Sequence, residues 1–254
     1  MNFTLLKIID APVSGSKLKY SDNTGFPKIQ SYYYRVIVVD SCGNEALVSN
    51  FGKTILLEAD PQNEVSNLLN WTPYGIWNSR VYSYIILRSI DDVWDSAPLT
   101  IIQADTTQYN YTDDVFPYAE AFTGKFCYYV QAVQEPVANP LPVGPPFFSD
   151  TSVSNLVCVQ QFPKMLVPNT FTPDGNGLND IFNPLWTFVD KSDFLFLVFN
   201  RYGQEIFRTT DPDMGWDGTF NDSEVQSGAY VYYFRFKVEN GRVVEKTGTV
   251  TVLH

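Results

Sequence analysis

An all-β chain of tandem antiparallel β-sandwiches is what this sequence predicts, on three observations. Apolar residues alternate at period two in many short runs, and the long amphipathic spacing of a helix appears nowhere. Tyr, Phe, Val, Ile and Thr are plentiful, and these side chains suit a pleated, half-buried surface. One arrangement of runs and turns also occurs twice, about 90–105 residues apart, which is the size of one sandwich.

Composition bounds the function. A chain of 254 residues with 44% apolar side chains can bury real cores, so disorder is not the reading. A net charge of −11 argues against nucleic acid as a partner, because neutralising phosphates needs clustered Lys and Arg. No apolar run reaches the roughly 20 residues of a transmembrane helix.

Taken in order, the first copy contains Leu5–Ile9 and Leu18–Asp22 as strands. Tyr32, Tyr34, Val36 and Val38 then form one face of a third, followed by the turn Asp40-Ser41-Cys42-Gly43-Asn44 and by Ser49-Asn50. The second copy repeats this with Leu99–Gln103, Tyr109–Asp113, then Phe126, Tyr128, Val130 and Ala132, and Ser154-Asn155. It also carries an inward Trp in Leu69-Asn70-Trp71 and a central strand, Val81–Ser89, with Tyr84, Ile86 and Arg88 in alternation. This order resembles fibronectin type III domains, an immunoglobulin-like sandwich. Three units follow: a partial repeat at 1–53, a fibronectin type III-like domain at 54–162, and a distinct unit at 163–254. The Pro-rich stretch Glu135–Pro146 is expected to be a stiff loop between strands.

Cys127 and Cys158 fall on strands that should be antiparallel neighbours. A bridge there closes about 31 residues and is worth roughly 3–4 kcal/mol in the chain-entropy model; two buried thiols are the alternative. Cys42 is left over.

The last unit opens with the turn-rich stretch Val167–Phe182. Pro168 and Pro173 fix φ, Gly175 and Gly177 permit φ > 0, and Asn169, Asp174, Asn176, Asn179 and Asp180 can bond their own backbone. Phe194–Phe199 reads as a central strand covered on both faces. Asn200-Arg201-Tyr202-Gly203 is a tight turn before the returning strand Gln204–Arg208. Trp216-Asp217-Gly218 is a turn with Trp216 folded onto the core. Gly228 opens a strand whose inward face is Tyr230, Tyr232, Phe234, Phe236 and Val238, with Arg235, Lys237 and Glu239 outward. Asn240-Gly241 marks the final hairpin.

The order PNTFTPDGNGLNDIF (with Phe171 at its first aromatic), VFNRYGQEIF, WDGTF, SGAYVYYF, Asn-Gly, KTGTVTVL resembles the gliding motility-associated C-terminal domain. That family is the type B sorting domain of the type IX secretion system of Bacteroidetes. Its usual Asn-Gly-Asp-Gly is here Asp174-Gly175-Asn176-Gly177, an exchange of acid and amide that preserves the turn. The resemblance implies a sorting signal on a large secreted or cell-surface protein, exported through the periplasm and across the outer membrane. It implies the translocon and a PorP/SprF-type outer-membrane protein as partners. The start, MNFTLLKIIDAPVSG, does not read as a signal peptide, since Lys7 breaks its apolar run and Asp10 ends it; Met1 is therefore expected to begin a fragment.

No catalytic constellation is expected. The only histidine is the terminal His254, which excludes Ser-His-Asp and Cys-His arrangements within this chain. Asp91-Asp92 and Asp113-Asp114 read as solvated turn carboxylates rather than a glycosidase pair. Asp174, Asn176 and Asp180 are weak Ca²⁺ candidates, because Leu178 replaces an oxygen ligand and no Glu follows; a turn held by side-chain–backbone bonds is the better reading, and the same holds for Asp211, Asp213 and Asp217. No cofactor is expected. Trp77 and Trp94 could stack on a sugar, which makes a carbohydrate- or surface-binding adhesin module the alternative function.

Overall fold

A computed structural model describes residues 3–10, 18–77, 79–104, 109–138, 147–238 and 241–254. Among the described residues, no helix is long and apolar enough to cross a membrane.

The first copy forms only ribbons. β1 (Tyr33–Tyr34) pairs with β4 (Gly52–Lys53), and β2 (Ile37–Val39) with β3 (Glu45–Val48). Leu5–Ile9 and Leu18–Asp22 are not strands, contrary to expectation. A strand exists through its ladder partner, and these segments have none; Leu5 and Ile8 remain exposed. The repeat nevertheless shows in one hydrogen-bonded device made twice. Val36 N–H donates to Ser49 Oγ (2.9 Å), Ser49 N–H to Val36 O (2.9 Å), and the Ser49 hydroxyl to Asn50 O (2.7 Å). Val130, Ser154 and Asn155 make the same three bonds at 2.9, 2.9 and 2.8 Å.

The second copy is a full sandwich. β5 (Leu57–Asn63), β6 (Ser66–Trp71) and, later in the chain, Asn110–Asp114 form one antiparallel sheet. The other is built on β7 (Val81–Ile90), which pairs with β8 (Val93–Trp94) and β9 (Thr100–Gln103). The Asn110–Asp114 strand is β10, and β11 (Lys125–Gln134) lies against β7 over its length. After it come β12 (Val137–Ala138), its partner β13 (Phe147–Phe148), β14 (Thr151–Val153) and β15 (Val157–Gln160), the last two both pairing with β11. Pro140, Pro142, Pro145 and Pro146 of the expected stiff loop lie outside the described residues. The alternating set Phe126, Tyr128, Val130 and Ala132 is fully buried with Leu69, Trp71, Tyr84 and Ile86. Cys127 and Cys158 sit opposite each other in the ladder and are joined as a disulfide; Cys42 is free and exposed.

Arg88 also points into this core. Its guanidinium bonds Asp113 (2.9 Å), Asp95 (2.9 Å) and the Tyr118 hydroxyl (2.7 Å). Burial disfavours its charge, but Asp113 overrides that and raises its pKa. Asp113 is therefore not the solvated turn residue expected: it is on the inner face of β10, where Tyr128 also donates to it (2.8 Å).

In the third unit β16 (Lys164–Leu166), β17 (Thr170–Phe171) and β18 (Leu185–Thr187) precede β19 (Asp190–Phe199) and β20 (Glu205–Thr209). A small hairpin, β21 (Thr219–Phe220) with β22 (Ser223–Glu224), leads to β23 (Gly228–Val238) and β24 (Arg242–Val252). The main sheet runs β17-β24-β23-β19-β20, and the β16–β18 pair covers its inner face. The sheet is antiparallel except that β17 runs parallel to β24. β19 is covered largely as expected, with Phe194, Phe196, Val198 and also Leu197 buried. Outward, Arg235 and Lys237 pair with Asp193; Glu239 and Asn240 lie outside the described residues.

Candidate functional site: one end of the C-terminal sandwich

The register of the main sheet collects the motif residues at one end. Phe171 faces Val252 along parallel strands, so the loop after Phe171 leaves where β24 finishes. Phe199 faces Val231, which puts the Asn200–Gln204 turn at that same end; Asp190, at the other end of β19, faces Lys237. Gly228 faces Val252, so β23 starts there too.

Within the first loop Asp180 is the hub. Its carboxylate accepts from the N–H groups of Gly177 (2.6 Å), Gly175 (2.8 Å) and Asp174 (3.1 Å). These bonds, that of Gly177 foremost, hold its pKa below the usual carboxylate value. Asp174 accepts from the backbone and side-chain nitrogens of Asn176, and Asn176 Oδ1 from Leu178 N–H (2.8 Å). Thr172 N–H donates to Asn179 O (2.9 Å), and Asn179 takes a left-handed φ of 55°. The oxygens a cation would need therefore point at the loop's own donors. Among the described residues, no group of three or more His, Cys, Asp or Glu could hold a metal.

The loop is tied down on both sides. Pro168 and Asn169 lead into β17, where Asn169 O accepts from Thr251 and Phe171 O from Leu253. Pro173 lies so close to Gly218 that a Cβ there would come within 2.7 Å of Pro173 Cγ. Trp216 is fully buried, 5.4 Å from the Phe171 ring and 5.1 Å from Tyr230, and its indole N–H donates to Thr219 O. Asp217 accepts from both the N–H and the hydroxyl of Thr219. Tyr230 donates to Gln226 O (2.8 Å), and burial raises its pKa. Asn200 Oδ1 accepts from Tyr202 and Gln204, Gly203 turns with φ 78°, and the Arg201 guanidinium lies over the Tyr202 ring at 5.1 Å. His254 closes the end, its ring 2.7 Å from Val225 O.

The outcome is a hydrogen-bonded relief with buried Trp216 and Phe171 inside and Leu178 and Tyr202 (80% exposed) outside. No nucleophile faces a base among these residues. Asp91 and Asp92 are likewise occupied, Asp91 by Thr123 and Lys125 N–H groups and Asp92 by the Lys125 ammonium. Asp211 accepts from Asp213 N–H, as a turn would have it. Trp77 and Trp94 do not form one platform. Trp77 precedes β7 and packs on Tyr74 (4.4 Å), whereas Trp94 pairs near the far end of β7 and packs on Tyr129 (5.1 Å).

One residue outside every motif also matters. Phe188, between β18 and β19, is buried in the core of the other sandwich, against Gly124. The stretch around Phe188 reads as ordinary strand-edge sequence, and only the neighbouring unit gives it meaning.

No curated protein matches the chain. Among solved structures, chicken CNTN1 FN1–FN3 domains are similar at 12% identity and TM-score 0.30, covering 79% of this chain and 65% of that one. The fibronectin(III)-like modules of Clostridium thermocellum CbhA are similar at 12% and 0.24, covering 78% and 93%. A Ca²⁺-stabilized adhesin with which an Antarctic bacterium binds ice is similar at 13% and 0.22, covering 88% and 57%. None of these three likenesses carries the assignment. Residues 165–252 match the family model described as CHU_C Type IX secretion signal domain.

Proposed function

We propose that residues 163–254 are a transferable export address, directing a secreted or surface protein across the outer membrane by the type IX secretion system, and that the fibronectin-like units ahead of it are spacer. The observation that carries this is the family match over 165–252, whose motif residues converge on one end of one sandwich. An address read after folding must be a fixed surface, and the bonds of Asp180, Asn200 and Asp217 fix it. The translocon and a PorP/SprF-type outer-membrane protein are its partners, and no catalytic role is assigned to the chain. The adhesin alternative loses its sugar platform with the separation of Trp77 and Trp94.

The test fuses residues 163–254, and in parallel 54–254, to a fluorescent passenger behind a signal peptide in a Bacteroidetes host with the secretion system. Fluorescence at the surface or in the medium, lost without the translocon, is expected. Retention of both fusions in the periplasm refutes the address.

A further inference from the structure

Phe188 and Val189 are consecutive, yet they point into different cores. Val189 belongs to the cluster around Phe234 and Trp216, whereas Phe188, 1% exposed, belongs to the cluster around Phe126 and Tyr128. The divergence is made by the backbone. Phe188 holds φ 54°, a left-handed conformation that side chains bearing a Cβ resist. Its holding contacts come from the fibronectin-like sandwich. The ring meets Phe126 edge to face at 5.8 Å, and its N–H donates to Ala119 O at 2.6 Å. Gly124 completes the socket: a Cβ there would lie 2.9 Å from Phe188 Cβ and Cγ.

The connection between the two sandwiches is also anchored. β15 ends at Gln160 and β16 begins at Lys164. Between them Gln161 N–H donates to Gly124 O (2.9 Å), and its buried side chain donates to Asn67 Oδ1 (2.7 Å). Lys164 pairs with Glu64 across the junction. A linker bonded this way does not swivel freely.

From this geometry we infer that the junction end of the C-terminal sandwich is a keyed docking surface, with Phe188 as the key. The partner it fits is the end of a β-sandwich that offers a side-chain-free glycine beside an unpaired main-chain carbonyl, which the preceding fibronectin-like domain supplies at Gly124 and Ala119. The two sandwiches, residues 54–254, therefore unfold as one cooperative unit. A C-terminal unit whose neighbour has not folded exposes an aromatic ring that the folded pair hides. None of this depends on the export reading, and the test needs no secretion.

Native-state hydrogen exchange on the full chain decides it. In the parent, the slowest amides of β11 and of β23 should share one denaturant dependence. Phe188→Ala should speed exchange along β11 at least ~tenfold, with β23 less affected, and should split one thermal transition into two. Phe188→Leu should restore part of the protection. Independent denaturant dependences in the parent overturn the inference, even if the alanine variant fails to fold. So does a folded Phe188→Ala chain whose β11 exchange is unchanged.

Discussion

Asp180 shows how one carboxylate can shape a whole loop, because three backbone donors, from Asp174, Gly175 and Gly177, face it. Its pKa is depressed, so its contribution is complete above the ordinary aspartate value of about 3.9 and is lost as pH falls through the depressed value. Protection of the Gly175 and Gly177 amides, relative to their intrinsic exchange, should therefore hold at neutral pH and fall only in stronger acid. In Asp180→Asn the same amides should exchange fast at every pH. Asp113 is the opposite case, a carboxylate held in the core by Arg88 and Tyr128. Asp113→Asn leaves the buried guanidinium short of charge and should cost the fibronectin-like domain about 3–5 kcal/mol in denaturant unfolding. The role of Asp180 could be read from its turn-forming neighbours. That of Asp113 could not, because Asp113-Asp114 looks like a turn until the inner face of β10 is known.

At the scale of the element, turns are held by backbone that only glycine adopts easily. Gly203 has φ 78° and open space around it, so a substitution there suffers from conformation and not from crowding. Gly203→Val should destabilise the C-terminal sandwich by about 1–2 kcal/mol or more, measured by denaturant unfolding, and should lower export while the fibronectin-like sandwich stays folded. The Cys127–Cys158 bond joins β11 to β15 across a sequence separation of 31 residues. Reduction should lower the stability of that sandwich by roughly 3–4 kcal/mol, seen as a lower melting temperature in reductant. Strands with dense alternation, β7, β11 and β23, were legible because burial on one face imposes period two, and β19 because it is apolar on both faces. Leu5–Ile9 misled because its match to the second copy states only a preference, and only a partner edge realises a strand. The parallel pairing of β17 had no local signal, since a two-residue strand leaves almost no pattern.

For the whole molecule, the order of motifs carried the reading of the C-terminal unit, and the register of β17, β19, β23 and β24 explains why those motifs travel together: they share one end. Their distance from Phe188 is set by the length of β19, whose first residue lies beside the junction and whose last lies beside the motif loops. That arrangement has a mechanical consequence. A pull applied at the Asn200 turn and resisted at Phe188 acts along the strands, across the bonds between them. Both points are ends of β19, so its own backbone carries the load while its ladders to β20 and β23 hold it in place, and the β23–β24 ladder, paired from Gly228–Val252 to Val238–Arg242, is not unzipped from one end. Drawn tip first through a channel, this sandwich would be pulled in its most resistant direction.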